Sequence, residues 1–244
     1  MTQFTPAKRL RDVRIRIASA AATAARNPAS VCLLAVSKTF PADAVAELAA
    51  CGQVDFGENY VQEGVGKIAV LRATHPRLCW HFIGPLQSNK TREVATHFDW
   101  VHSVDRVHVA QRLSGQRPVT RDGQALAPLQ ICLQVNVSGE ASKSGIPPQA
   151  VEDLAKAVVA LPNLRLRGLM CIPAPNDDLH AQRAPFAHLR SLMEALNRKG
   201  FALDTLSMGM SADLEAAVHE GATIVRVGTA LFGVRSKAVG RGQG

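Results

Sequence analysis

Eight short apolar runs, each followed by a longer segment, set the tightest limit on what this chain can fold into. The runs are Val31–Ser37, Val54–Gly57, Leu78–Gly84, Trp100–Val104, Leu129–Val137, Leu164–Cys171, Asp204–Met208 and Thr223–Val227. Most are continuous rather than alternating, the pattern of parallel strands covered on both faces. Between them Val151, Leu154, Ala155 and Val158 recur at helical spacing, as do Phe186, Leu189, Met193 and Leu196. Asp43–Cys51 and Asp105–Leu113 are shorter amphipathic candidates, and Val61–Arg72 is a helix weakened by Gly64 and Gly66. Thr5–Arg26 reads as a helix ahead of the first strand. It ends at Asn27–Pro28, because the residue before proline avoids the helical region. Eight strands alternating with helices predict an α/β fold, a single (β/α)8 TIM barrel with an extra N-terminal helix. An open doubly wound sheet is the alternative. The polar stretches Gln116–Ala127 and Pro173–Gln182 are expected as loops. The barrel is expected to occupy residues 1–235, with 236–244 a disordered, Gly-rich basic tail.

A chain of 244 residues suits one such barrel, which reaches about 250 residues as a unit. Hydrophobic residues at 47% and charged residues at 20% give the balance of a soluble globular protein and exclude a disordered one. No apolar run approaches the roughly 18 residues that span a bilayer. Lys8, Arg9, Arg11, Arg14 and Arg16 interrupt the first 25 residues, so no secretory leader is expected and the cytoplasm is the expected location. The five cysteines form no CxxC pair and are expected as reduced thiols without a metal. The net charge of +8 is spread along the chain, and aromatics are only 5%, too few for base stacking, so no nucleic acid is expected. A phosphate-bearing ligand is the simpler use for some of the cations.

In a barrel of this kind, active residues sit at the C-terminal ends of the strands. The first strand ends in Ser37-Lys38-Thr39. A lysine there either snorkels from the rim or serves as a nucleophilic amine that forms a Schiff base with a carbonyl. The seventh ends in Ser207-Met208-Gly209-Met210-Ser211, with Ser211 a candidate N-cap for a helix over Ala212–His219. The eighth ends in Arg226-Val227-Gly228-Thr229, ahead of a short helix Ala230–Phe232. Helix N-termini offer free N–H groups to a phosphate, and the loops after strands seven and eight are where barrels commonly place one. A strand-one lysine opposite a phosphate cup suits pyridoxal 5′-phosphate (PLP). It suits a Schiff-base aldolase acting on a phosphosugar equally well.

Several runs carry a family resemblance: Ala35-Val36-Ser37-Lys38-Thr39, Phe56-Gly57-Glu58-Asn59-Tyr60, His81-Phe82-Ile83-Gly84-Pro85-Leu86-Gln87-Ser88-Asn89-Lys90, Gly168-Leu169-Met170, Leu206 to Ser211, and Arg226 to Gly233. Together they resemble the pyridoxal phosphate homeostasis protein family, over about Leu33 to Gly233. That family is similar to the N-terminal barrel domain of alanine racemase without its second domain. The resemblance implies that Lys38 holds PLP as a Schiff base and that Arg226 faces the pyridine nitrogen. It implies a phosphate cup of Ser207, Ser211, Gly228 and Thr229, joined by backbone around Met208 and Gly209. Asn59 and Met170, with His81, are implied to line the ring, while Lys90 belongs to the signature without a settled role. Cys171 departs from the small or hydroxyl residue expected after Gly-Leu-Met. His81, Glu58 and Tyr60 each also have a purely structural reading, as a satisfied strand-end histidine, an ion-pair partner and a packing residue.

The resemblance further implies a PLP binder of intracellular cofactor homeostasis, acting as a monomer. Apo-PLP enzymes or free amines are the expected acceptors. A weak amino-acid racemase, or another PLP enzyme, is the alternative. A guanidinium at the pyridine nitrogen disfavours its protonation and makes the ring a poor electron sink. Tyr60 is the single tyrosine, and it is expected to point away from the cofactor.

Overall fold

The computed structural model describes residues 5–233 apart from 122 and 141–143. The eight apolar runs form β1 Cys32–Val36, β2 Asp55–Glu58, β3 Cys79–Phe82, β4 Trp100–Val104, β5 Leu129–Gln134, β6 Leu164–Met170, β7 Thr205–Ser207 and β8 Ile224–Val227. All are parallel, and they close on themselves because β1 pairs with both β2 and β8. In the closing pair Leu34 lies opposite Arg226 and Ala35 opposite Val227. The barrel expected from the sequence is therefore the fold, and the open sheet is excluded.

Helices cover the outside: α1 Pro6–Thr23, α2 Ala42–Ala50, α3 Val61–Leu71, α4 Thr91–His97, α5 Val107–Gln116, α6 Val151–Val159, α7 Leu179–Arg198, α8 Leu214–His219 and α9 Thr229–Phe232. The periodic sets Val151, Leu154, Ala155, Val158 and Phe186, Leu189, Leu196 are buried as their spacing requires. Three local expectations change. The short α4 has no counterpart in the sequence reading; its seven residues carry just one Val and one Ala on the buried face. Helix α7 begins inside the stretch expected as the loop Pro173–Gln182 and runs through Pro185. The loop Gln116–Ala127 folds into a small hairpin that pairs Thr120–Arg121 with Gln124–Ala125. The proposed tail, 236–244, lies outside the described residues.

The N-terminal helix is part of the wall. Thr5 caps it by accepting from the Lys8 N–H. Leu10, Val13, Ile17, Ala20 and Ala21 are its buried stripe. Arg16 grips Glu215 on α8 at 2.8 Å and the Ser211 carbonyl at 2.9 Å, which fixes the loop after β7.

Apolar packing is divided by the strands. Leu33 and Ala35 join the large core between strands and helices, while Leu34, Val36, Ile83 and Ile224 form a separate small cluster. Leu34 and Arg226 are register partners, so they face the same side of the barrel wall. Barrel interiors are ordinarily filled by Val, Ile and Leu. Here buried Arg226, Ser207, His102 and His81 occupy much of that space. Buried polar groups must find partners, and these four find one another.

Among the described residues, no helix is long and apolar enough to cross a membrane.

Candidate functional site

The turn that carries Lys38 is clamped from below. Ser37 is buried and donates its hydroxyl to Glu58 Oε1 at 2.6 Å. The Ser37 carbonyl accepts from Lys67 Nζ at 2.7 Å. Lys67 also binds Glu58 and Glu63 at 2.6 Å each, and the Thr39 N–H donates to Glu63. Thr39 sits at φ +68°, a left-handed position that costs a non-glycine residue roughly 1–3 kcal/mol and persists only where surroundings enforce it. Glu58 is thus an ion-pair partner, buried completely, and desolvation pushes its carboxyl above the ordinary range.

Lys38 itself is half-buried and lines a cavity of about 240 Å3 with Val36, Thr39, Phe40, Gly228, Thr229 and Gly233. Phe40 stacks on Phe232 at 5.0 Å, joining the β1 turn to α9. Gly228 and Thr229 open α9, where first-turn N–H groups have no partner within the helix. The lysine and the eighth-strand turn therefore meet across one cavity.

The loop after β7 departs from the sequence reading. Helix α8 begins at Leu214, not Ala212, and Ser211 is not its cap. Asp213 occupies that position and reaches back to accept from the Met210 N–H at 2.5 Å, so the acid closes the turn. Ser211 is half-buried, with its carbonyl held by Arg16. Gly209 has φ +92°, and a Cβ there would lie 2.5 Å from the Ala217 Cβ, so glycine alone fits this turn. Met208 is fully buried.

Arg226 is buried, yet its guanidinium rests on neutral oxygens. Nη1 donates to the Ser207 carbonyl at 2.6 Å and to Ser207 Oγ at 2.9 Å, and Nη2 donates to the Cys171 carbonyl at 2.8 Å. Burial draws its pKa down from the usual arginine value. The interaction with Cys171 uses the backbone, so the unexpected cysteine leaves it intact.

Below Arg226 runs a hydrogen-bonded column that the sequence reading did not assemble. Ser207 Oγ lies 2.7 Å from His102 Nδ1, His102 Nε2 lies 2.9 Å from His81 Nδ1, and His81 Nε2 lies 3.1 Å from Asp55 Oδ1. Trp100 stacks on His81 at 5.3 Å. Burial holds His102 well below the usual histidine range, with the neighbouring His81 and Arg226 adding to the effect, so its ring is neutral at pH 7. Two of the expected site residues are engaged in this column. The Ser207 hydroxyl links Arg226 to His102. His81 stands two hydrogen bonds beneath Ser207, not beside the Lys38 cavity.

Met170 is buried and is the register partner of Ser207. Asn59 is half-buried, and its Oδ1 is buried without a partner among the described residues. A Cβ on Gly84 would lie 2.1 Å from the Asn59 carbonyl, so the third-strand signature wraps Asn59 as closely as backbone permits. Tyr60 is 57% exposed and Lys90 pairs with Glu93 at 3.4 Å; neither lines the cavity beside Lys38.

Barrel, strand-one lysine and buried strand-eight arginine together define the class: residues 10–236 match the family described as "Alanine racemase, N-terminal domain". The chain is 62% identical over 231 residues to the pyridoxal phosphate homeostasis protein of Pseudomonas aeruginosa, covering 95% of this chain and 96% of that one. The structure of PipY from Synechococcus elongatus with PLP bound is 39% identical, with TM-score 0.75, over 89% of this chain and 100% of that one. Alanine racemase from Corynebacterium glutamicum shares the fold at TM-score 0.64 and 17% identity, over 93% of this chain and 63% of the racemase. The chain belongs to the pyridoxal phosphate homeostasis protein family.

Proposed function

We propose that this protein binds PLP covalently through Lys38 and acts as a carrier that shields and hands over the aldehyde. The observation that carries the reading is Lys38 facing the Gly228–Thr229 turn across one cavity, with Arg226 in a neutral bed on the adjoining strand. The residues fit the cofactor. Lys38 offers an amine to the aldehyde, while Thr229, Ser211 and first-turn amides of α9 offer donors to the phosphate. Arg226 offers a permanent donor to the pyridine nitrogen, and the unpartnered Asn59 Oδ1 awaits a polar neighbour. The relatives' names and the PLP-bound PipY structure support the assignment. Five free cysteines agree with a reducing, cytoplasmic setting. Free amines and the apo forms of PLP enzymes are the acceptors in this reading, and a monomer suffices because one chain supplies these groups.

The test is an absorption spectrum of purified, PLP-loaded protein before and after borohydride. A visible band bleached by borohydride is the expected result; its absence overturns the reading and favours the phosphosugar aldolase.

The phosphate contributes much of the affinity. Hydrogen bonds to a charged group are worth about 1.5–3 kcal/mol each. Losing two of them corresponds to roughly 10²-fold or more. Pyridoxal is therefore expected to bind at least about 10²-fold more weakly than PLP in a fluorescence titration. Equal affinities would remove the phosphate cup.

Bound PLP supplies an electron-withdrawing ring when its nitrogen is protonated. Arg226 has no proton to give that nitrogen, and its positive charge opposes protonation. Tyr60 projects into solvent, so it supplies no base at the cavity. A missing acid–base group forfeits roughly 10²–10⁴-fold. Incubation with L-amino acids is expected to yield D-enantiomer and keto acid far below ordinary enzymatic rates of about 1–10³ per second. Turnover within that range establishes the racemase or transaminase alternative instead.

A further inference from the structure

The foot of the barrel, at the far end of the polar column, gathers a second set of groups that the carrier reading does not use. We infer that Asp55, Cys79 and His81 form a three-ligand site for a zinc-class divalent cation, with the Cys32 thiol nearby but outside the ligand set. The inference is independent of the PLP assignment.

The three donor atoms all lie within 4.8 Å of one another. His81 Nε2 is 3.1 Å from Asp55 Oδ1 and 3.4 Å from Cys79 Sγ. Ligands on tetrahedral zinc, at metal distances of about 2.0–2.3 Å, are separated by about 3.3–3.8 Å. The set needs only small side-chain rotations to reach that spacing. Cys32, at the start of β1, lines the same cavity as Asp55. Sulfur, imidazole nitrogen and a single carboxylate are a zinc-type mixture, whereas magnesium and calcium take oxygen donors.

Topology favours an ion over a disulfide. Cys32 lies on β1 and Cys79 on β3, with Asp55 of β2 between them and opposite Cys79 in register. Register places Leu34, two residues after Cys32, level with Asp55 and Cys79, so the cysteine Cα atoms are separated by at least two strand spacings, at least about 9–10 Å, beyond the roughly 7 Å a disulfide allows. The Cys79 thiol is therefore left free of a disulfide to Cys32 and available to an ion held with Asp55 and His81.

Charge and support also agree. One thiolate and one carboxylate balance a 2+ ion, with neutral imidazole adding nothing. Coordination by Cys79 releases its thiol proton to solvent. For Nε2 of His81 to bind, its ring hydrogen must sit on Nδ1, and there His102 Nε2 is 2.9 Å away to accept it. That arrangement is the outer-shell partner that metal-bound histidines ordinarily have. The cluster borders a cavity of about 380 Å3 at the barrel foot through Asp55, which lines it with Cys32 and Gln53.

The test is to titrate the reduced full-length protein with Zn2+ against a chromophoric chelator, and separately with Co2+. The expected result is one equivalent of Zn2+ per chain. The Co2+ form is expected to show tetrahedral ligand-field bands and a thiolate charge-transfer band. Cys79→Ser and Asp55→Asn are each expected to weaken zinc binding at least tenfold, and Cys79→Ser to remove the charge-transfer band. Cys51→Ser, a thiol outside the cluster, is expected to change neither. No stoichiometric uptake, or zinc affinity unchanged in both cluster variants, overturns the site. Anomalous scattering at the zinc edge from crystals of the unmodified protein gives a readout that no variant's folding affects: a peak between Asp55, Cys79 and His81 supports the site, and a peak elsewhere or none refutes it.

Discussion

Replacing Lys38 by alanine is expected to abolish the borohydride-fixed PLP adduct, the largest single effect on the proposed function. The reason lies in what the other lysines are doing. Lys8 pairs with Asp12, Lys67 with Glu58 and Glu63, Lys90 with Glu93, and both Lys156 and Lys199 with Glu152. An amine engaged in an ion pair must give up that partner before it can attack a carbonyl. Among the described residues Lys38 is the lysine without an ion-pair partner, and it lines the cavity that the Gly228–Thr229 turn closes. The alanine variant keeps the phosphate donors, so PLP is still expected to bind, reversibly and more weakly. Mass mapping after reduction decides the matter. The unmodified protein should carry the added mass on the peptide containing Lys38, and the variant should carry none. Full-occupancy modification of a different lysine in the variant would falsify the assignment.

How much of this was legible before the structure depends on whether a feature belongs to one strand or to several. Lys38, Arg226 and the Gly228–Thr229 turn were readable because each sits where a continuous apolar run stops, and a barrel puts its chemistry at such ends. The column from Arg226 to Asp55 was not. His81 reads as a strand-end histidine because the run from Leu78 to Gly84 shows no difference between its inward and outward faces. Its partners, Asp55 and His102, come from β2 and β4, so their meeting depends on register: Gly57 opposite His81, and His81 opposite Trp100. One signal was available. Cys79, His81 and Ile83 alternate, as do Trp100 and His102, and two-residue spacing places each set on one face of a strand. The Ser211 cap failed for a local reason, since Asp213 closes the same turn through the Met210 N–H and the helix starts two residues later.

Removing Lys67 is expected to destabilise the whole barrel and to loosen the Lys38 turn with it. Glu58 is completely buried, and its Oε2 already lacks a partner among the described residues. Its Oε1 depends on Lys67 and Ser37. Breaking a buried pair from one side leaves an uncompensated charge and costs about 3–5 kcal/mol. For a domain of this size that is a fall of roughly 6–20 °C in melting temperature. Lys67→Ala therefore should melt well below the parent, whereas Lys67→Met combined with Glu58→Gln should recover much of the loss, because no buried charge remains. The pH dependence has a definite sign. Burial already holds the Glu58 carboxyl above its ordinary range, and losing Lys67, one of the groups that lower it, pushes it further up. The folded variant then takes up a proton more readily than the unfolded chain, so its stability rises as the pH falls toward the ordinary carboxylate range. The deficit should be greatest at neutral pH and shrink in mild acid. A second consequence reaches the site. Lys67 and Glu63 hold the Ser37 carbonyl and the Thr39 N–H, which keep Thr39 in its left-handed conformation. Without Lys67 that turn relaxes, and at a temperature where the variant is still folded, covalent capture of PLP should be slower than in the parent. A variant that melts within a degree or two of the parent, with unchanged capture, shows instead that Glu58 is supported by groups other than Lys67.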